Sequence, residues 1–164
     1  MTRAAAAGLL AALGLAGCFA GNSTTKKGMA GDTLSAGGLK VSLIRFDTRV
    51  PPKRGIDVTG LGTPGPGERF FGADVKVCND RGQAIGTYNF GLQVDGGKAS
   101  VRFPQSVYSN GFDSVRATCG RGWIVFEAPS DSRAKTVTFR YDDTGSNQPS
   151  GNREKHAHFS WDVG

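Results

Sequence analysis

The chain has 164 residues, with 20 Lys+Arg against 14 Asp+Glu, a formal net charge of +6, 3 cysteines and 2 histidines. That length holds one domain with a real core and hardly two. The basic residues are scattered among acidic neighbours rather than clustered and interleaved with aromatics, which argues against a nucleic-acid partner.

In chain order, a single charge at Arg3 precedes an Ala/Leu/Gly run from Ala4 to Gly17 that ends at Cys18. The run is shorter than the roughly 20 apolar residues a membrane-spanning helix needs, and it has a charged start and small residues at its end. It reads as a secretory signal over 1–17. The sequence Leu15-Ala16-Gly17-Cys18 resembles the bacterial lipobox, in which a peptidase cuts before the cysteine and a diacylglycerol thioether is attached to its sulfur. The resemblance implies a mature chain starting at Cys18, lipid-anchored to the cell membrane on its extracytoplasmic face, with a net charge of +5 once Arg3 has left. The segment 18–38, rich in Gly, Ser, Thr and Ala, reads as a flexible lipidated tether. Its Lys26 and Lys27 are solvated linker charges or rest against anionic headgroups.

From Leu39 the apolar residues recur with a period of two, so 39–164 is expected to be a single β-domain. The first strand is "LKVSLIRF", and a Pro/Gly-rich loop from Val50 to Glu68 follows it. "RFFGADVKVCND" sets Phe71, Ala73, Val75 and Val77 on one face. "TYNFGLQVD" does the same with Tyr88, Phe90, Leu92 and Val94. The turn at 95–97 then joins it to "KASVRF" as a hairpin. "GWIVFEA", "KTVTFRY" and "HAHFSWDV" complete the series, the last with Ala157, Phe159, Trp161 and Val163 inward. About seven strands with turn-rich connections predict an all-β fold, an antiparallel β-sandwich.

The run "FFGADVKVCND", the hairpin after it, "RGWIVFEAP" and "KTVTFRYDD" resemble the telokin-like, immunoglobulin-like domain of secreted proteins and lipoproteins of Gram-positive bacteria, especially actinobacteria. Gly122, Trp123, Phe126, Glu127 and Pro129 carry the more specific part of the likeness, and Ala128 stands where that family usually has valine. The resemblance covers about Leu39 to Val163. It implies a fold and a compartment, with no catalytic residues attached.

Outside the cytoplasm the two cysteines left after lipidation, Cys78 and Cys119, read first as a disulfide pair. The alternatives are a nucleophile or a free thiol, and the only histidines, His156 and His158, lie two apart on the last strand. Because Cys78 has the parity of Asp74 and Lys76, opposite the core set, the bridge is expected between adjacent strands at the rim of one sheet. That parity also turns Ile124 and Phe126 inward and leaves Trp123 on the outer face or near the disulfide.

His156 and His158 share a strand face with Asp162, which makes them candidate metal ligands, although a structural site wants four ligands and a catalytic one three. Asp142, Asp143 and Asn147 in "YDDTGSN" lack the spacing of a calcium loop. "GLGTPGPGER" has no Walker lysine, and no Gly-x-Ser-x-Gly elbow, paired-carboxylate motif or zinc-protease helix occurs. The expectation is therefore a lipoprotein with a non-enzymatic immunoglobulin-like module and no cofactor. It would bind a protein or a cell-wall polymer through its loops. The alternative is an extracytoplasmic metal or small-ligand binding protein using the His156/His158 face.

Overall fold

The computed structural model describes residues 23–50, 62–80, 84–101, 111–112, 114–116, 118–142 and 156–164. Its strands are β1 (Ser23–Met29), β2 (Thr33–Ala36), β3 (Leu39–Asp47), β4 (Glu68–Asn79), β5 (Phe90–Val94), β6 (Gly97–Val101), β7 (Cys119–Pro129), β8 (Ala134–Asp142) and β9 (His156–Asp162). A short 3-10 turn, Thr87–Asn89, precedes β5. One layer of the sandwich runs β1-β9-β8-β5 and the other β2-β3-β4-β7. Strand β6 serves both: Lys98 and Ala99 pair with β5, then Ser100 and Val101 pair with β7. The strand thus turns a corner between sheets.

The order β3-β4-β7-β6 against β5-β8-β9 is the seven-strand ABED and CFG arrangement of immunoglobulin constant-type sandwiches. The all-β sandwich read from the sequence is the observed fold, with nine strands among the described residues where seven were expected. The two additional strands correct the tether. Residues 23–36 are not a linker but hold β1 and β2, so the folded domain includes them rather than beginning at Leu39. β2 pairs antiparallel with β3, and β1 pairs in parallel with β9, so the sandwich is not purely antiparallel.

The polar composition that suggested a linker is what an edge strand wants, since it has few inward positions and must discourage further pairing. Leu34 packs on the core and Ala36 is buried. Lys26, on the inward parity of β1, donates to the Ser35 carbonyl across the gap between the sheets. The indole N–H of fully buried Trp161 donates to the Asp32 carbonyl at 3.2 Å. Without the β1–β2 connection that donor would lose this partner, at a cost of about 1–3 kcal/mol.

The core follows the alternation. Leu39, Val41, Leu43, Phe71, Ala73, Val75 and Val77 face Phe90, Leu92, Val137, Phe139, Phe159 and Trp161 across the sandwich. Tyr88 departs from the expected inward set and is 67% exposed. The turn before β5 is the cause: the Asn89 amide donates to the Gly86 carbonyl and the Gly86 amide to Asn89 Oδ1, which breaks the period of two.

Two buried side chains, Phe112 and Val115, come from a stretch in which the sequence shows no strand. They enter the core because β7 carries Gly120 and Gly122 on its inward parity. A Cβ on Gly122 would lie 2.5 Å from the Phe112 backbone, and one on Gly120 would lie 2.5 Å from Val115 Cγ2. Bridges Ile85↔Val115 and Gly111↔Trp123 hold the inserted segment.

Gly122→Ala should therefore destabilise the domain by about 1–3 kcal/mol, since backbone cannot yield as a side chain can. Phe126→Ala, at a fully buried position, should cost about 3–5 kcal/mol. Urea unfolding of both variants measures this, and a Gly122→Ala protein as stable as the wild type would contradict the close approach.

Candidate functional site

Cys78 and Cys119 form a disulfide, with sequence separation 41 and Cα atoms 4.0 Å apart. They are directly opposed on β4 and β7, neighbours in one sheet. The next rung shows why they meet. The Asn79 amide donates to the Thr118 carbonyl at 2.9 Å, so 79/118 is the hydrogen-bonded pair and 78/119 is the close non-hydrogen-bonded pair. This is the placement that strand parity predicts, on the outer face at the end of the sheet, in contrast to the inter-sheet bridge of antibody domains.

That outer face is less open than the parity suggested. Phe70, Trp123 and Val125 form a second small cluster there, with Val50 packed on it. Gly72 makes room for the indole, since a Cβ would sit 3.0 Å from its ring carbons. A bulge in β3 adds the cover. The register shifts between Leu43 and Arg45, so Arg45 points outward, with its guanidinium 4.7 Å from the Trp123 ring centroid. Trp123 is thus on the outer face as expected, beside Asp74 and Gly72 rather than at the disulfide.

Asp74, expected to face solvent, is buried and held by two bonds from Arg121, Nε to Oδ1 at 3.0 Å and Nη2 to Oδ2 at 2.7 Å. Those hydrogen bonds, and then the carboxylate charge, raise the Arg121 pKa above its usual value. Glu127 pins the described end of the Pro/Gly-rich loop: its Oε1 accepts the Gly65 amide at 2.8 Å.

On the opposite sheet His156 and His158 lie on one face, as read from the sequence, but Asp162 does not join them. It stands at the far end of β9, opposite Thr136, and accepts the Gly164 amide. The carboxylate that meets the histidines is Asp142 of β8. Its Oδ1 accepts from His156 Nδ1 at 3.0 Å and from His158 Nε2 at 3.3 Å. The pairings Asp142↔His156 and Arg140↔His158 bring this about. The bonds from His156 and His158 lower the Asp142 pKa below the ordinary carboxylate value. Both imidazoles direct a nitrogen at one oxygen rather than at a shared centre, and among the described residues no group of three or more His, Cys, Asp or Glu is placed to hold a metal ion. Cys18, Asp143 and Asn147 lie outside the described residues.

The same sheet carries a groove of about 460 Å³ across β5, β8 and β9. Its outward side chains include Gln93, Lys98, Thr138, Arg140, His158 and Ser160, with Tyr88 at the rim. Gly91, with no side chain, leaves the floor low, and the Thr138 hydroxyl donates to its carbonyl at 3.3 Å.

Fold and surface together describe an immunoglobulin-like β-sandwich with a bridged sheet rim and a polar groove on the other sheet. The chain is similar in fold to MPT63, a secreted protein of Mycobacterium tuberculosis, with a TM-score of 0.52 and 16% identity over 85% of this chain and 98% of that one. It also aligns with the ycdA protein of Bacillus subtilis at a TM-score of 0.48 and 15% identity, over 79% of this chain, and spans 38% of that protein's length. A β-sandwich protein of Clostridium difficile aligns at 0.42 and 12% identity, over 84% of this chain and 95% of that one. No protein-family model and no curated protein sequence matches the chain.

Two outcomes are expected. Replacing both cysteines with alanine should lower stability by about 3–4 kcal/mol in the chain-entropy model while the sandwich still folds, as read by circular dichroism and urea unfolding. For Asp142 the folded pKa is lowered, so its contribution is present above the ordinary carboxylate pKa and is lost as pH falls through the lowered one. The stability difference between wild type and Asp142→Asn should be small, because the site is half-exposed. It should diminish as pH falls below the ordinary carboxylate pKa of about 4. A difference that grows toward acid would reverse that sign.

Proposed function

We propose that the protein is a cell-envelope lipoprotein, anchored through Cys18 on the extracytoplasmic face of the membrane, whose telokin-like, immunoglobulin-like module is a non-enzymatic binding domain. The observation that carries this reading is the distribution of the three cysteines. Two close a bridge within the domain, as suits an oxidising compartment. The third ends an apolar run in the sequence Leu15-Ala16-Gly17-Cys18. A fold shared with a secreted mycobacterial protein is in keeping with export. In this reading function lies in recognition by an exposed face, with no acid/base pair or nucleophile required, and nucleic acid is not the partner.

The early start of the folded domain alters the geometry of display. Only residues 19–22 separate Cys18 from the first strand. Five peptide steps span at most about 18 Å. The sandwich is then held close to the bilayer, with the end bearing Ser23, His156 and the disulfide nearest to it.

Detergent phase partition of the expressed protein tests the anchor. Wild type should enter the detergent phase and Cys18→Ser the aqueous phase or the uncleaved precursor, because two acyl chains are about what stable anchoring needs. A Cys18→Ser protein processed and membrane-bound like the wild type would reject it.

A further inference from the structure

The groove on the outer face of β5, β8 and β9 combines three features that bear on a ligand. The first is charge. Lys98, Arg140 and His158 line it and, among the described residues, no carboxylate does; Asp142 lies beyond His158, and Asp162 lies at the other end of the face. Among the described residues Lys98 and Arg140 make no salt bridge, whereas Lys135 is taken up by Asp95 and Arg121 by Asp74.

The second feature is Tyr88, an aromatic ring 67% exposed yet held in place. Its hydroxyl donates to the Ala84 carbonyl at 2.8 Å, and its ring lies over Gly86, where a Cβ would meet it at 2.8 Å. A ring ordered before binding offers stacking area at little entropic cost. The third feature is spacing. Lys98 is opposite Gln93 on β5, whereas Arg140 is in the row of Asn89 on β8, so they stand two strands and four residues apart. Strand spacing and rise put their Cα atoms about 16 Å from each other. A single small anion does not span that distance.

We infer that this groove binds an acidic glycan, a chain of sugar rings carrying carboxylates. One ring stacks on Tyr88, successive acidic groups meet Arg140 and Lys98, and ring hydroxyls meet Gln93 and Thr138. This deepens the binding-module reading by naming its face and ligand class, and it places recognition on a sheet face where the sequence pointed to loops.

Calorimetric titration of the purified protein with hexagalacturonate, maltohexaose and inorganic polyphosphate tests it, with amide chemical shifts to locate the site. The acidic hexamer should bind, weakening with salt, and the neutral hexamer should bind at least about tenfold more weakly. The Lys98→Ala/Arg140→Ala double variant and Tyr88→Ala should each weaken binding by about tenfold or more, with an unchanged melting temperature for the double variant, whose side chains are at the surface, and an amide spectrum that remains that of the folded domain for Tyr88→Ala. The inference is overturned by absence of binding, by equal affinity for the neutral hexamer, by equal affinity for polyphosphate, by unaltered binding of the variants, or by shifts confined to another face. The result is independent of the anchor: loss of glycan binding leaves the Cys18 partition result standing, and a failed partition leaves glycan binding intact.

Discussion

The antiparallel pairing of β4 with β7 sets the rest of the molecule. From Glu68↔Pro129 to Cys78↔Cys119 the two strands run opposite each other without a slip. Since successive side chains alternate between faces, this one register sends Phe71, Val75, Ile124 and Phe126 into the core and Phe70, Asp74 and Trp123 to the other side. A slip of a single residue would exchange the two sets and separate the cysteines. The disulfide at one end and the Glu127 carboxylate holding Gly65 at the other mark the limits of the pairing.

That register also explains why the sheet has two buried faces. A usual antiparallel sheet leaves its outer face to water. Here the middle of the outer face is covered by the Trp123 ring lying over Gly72, by Arg45 turned outward by the β3 bulge, and by Val50. Arg121 neutralises the Asp74 carboxylate caught beneath this cover, and Glu127, buried on the same face, accepts the Gly65 amide. The opposite sheet is arranged differently. Its outer face holds hydroxyls, amides and cations, with a glycine at the centre, so it stays wet and accessible. The two outer faces thus differ in chemistry, one partly covered by Trp123, Arg45 and Val50, the other carrying the polar groove.

Much of this is legible in the sequence where the period of two is unbroken. The core faces of β4, β7 and β9, the outer placement of Trp123 and the position of the bridge at the sheet rim follow from counting alternate residues, while the pairing of Cys78 with Cys119 follows from their being the two cysteines left in an exported chain. What the sequence hides lies where a single residue breaks that count. The extra residue in β3 redirects Arg45, the turn at Thr87–Asn89 expels Tyr88, and Gly120 and Gly122 admit Phe112 and Val115 from a stretch without periodicity. The meeting of Asp142 with the histidines is not legible in the sequence, because it depends on the β8–β9 register. β1 and β2 are masked by composition, since edge strands with one inward row look like linker.

The parallel pairing of β1 with β9 has a mechanical meaning. The two strands lie side by side from Ser23↔His156 to Met29↔Asp162, pointing the same way. A pull on the N-terminal end of β1, opposed at the C-terminal end of β9, acts along the strands and perpendicular to their hydrogen bonds. The rungs then share the load in shear, whereas strands peeled from a common end separate rung by rung. Strand β1 lies at the open side of the sandwich, with Lys26 reaching to β2. Resistance to such a pull is a matter of unfolding rate rather than equilibrium stability. A few polar residues at the start of the domain thus act as its tensile clasp.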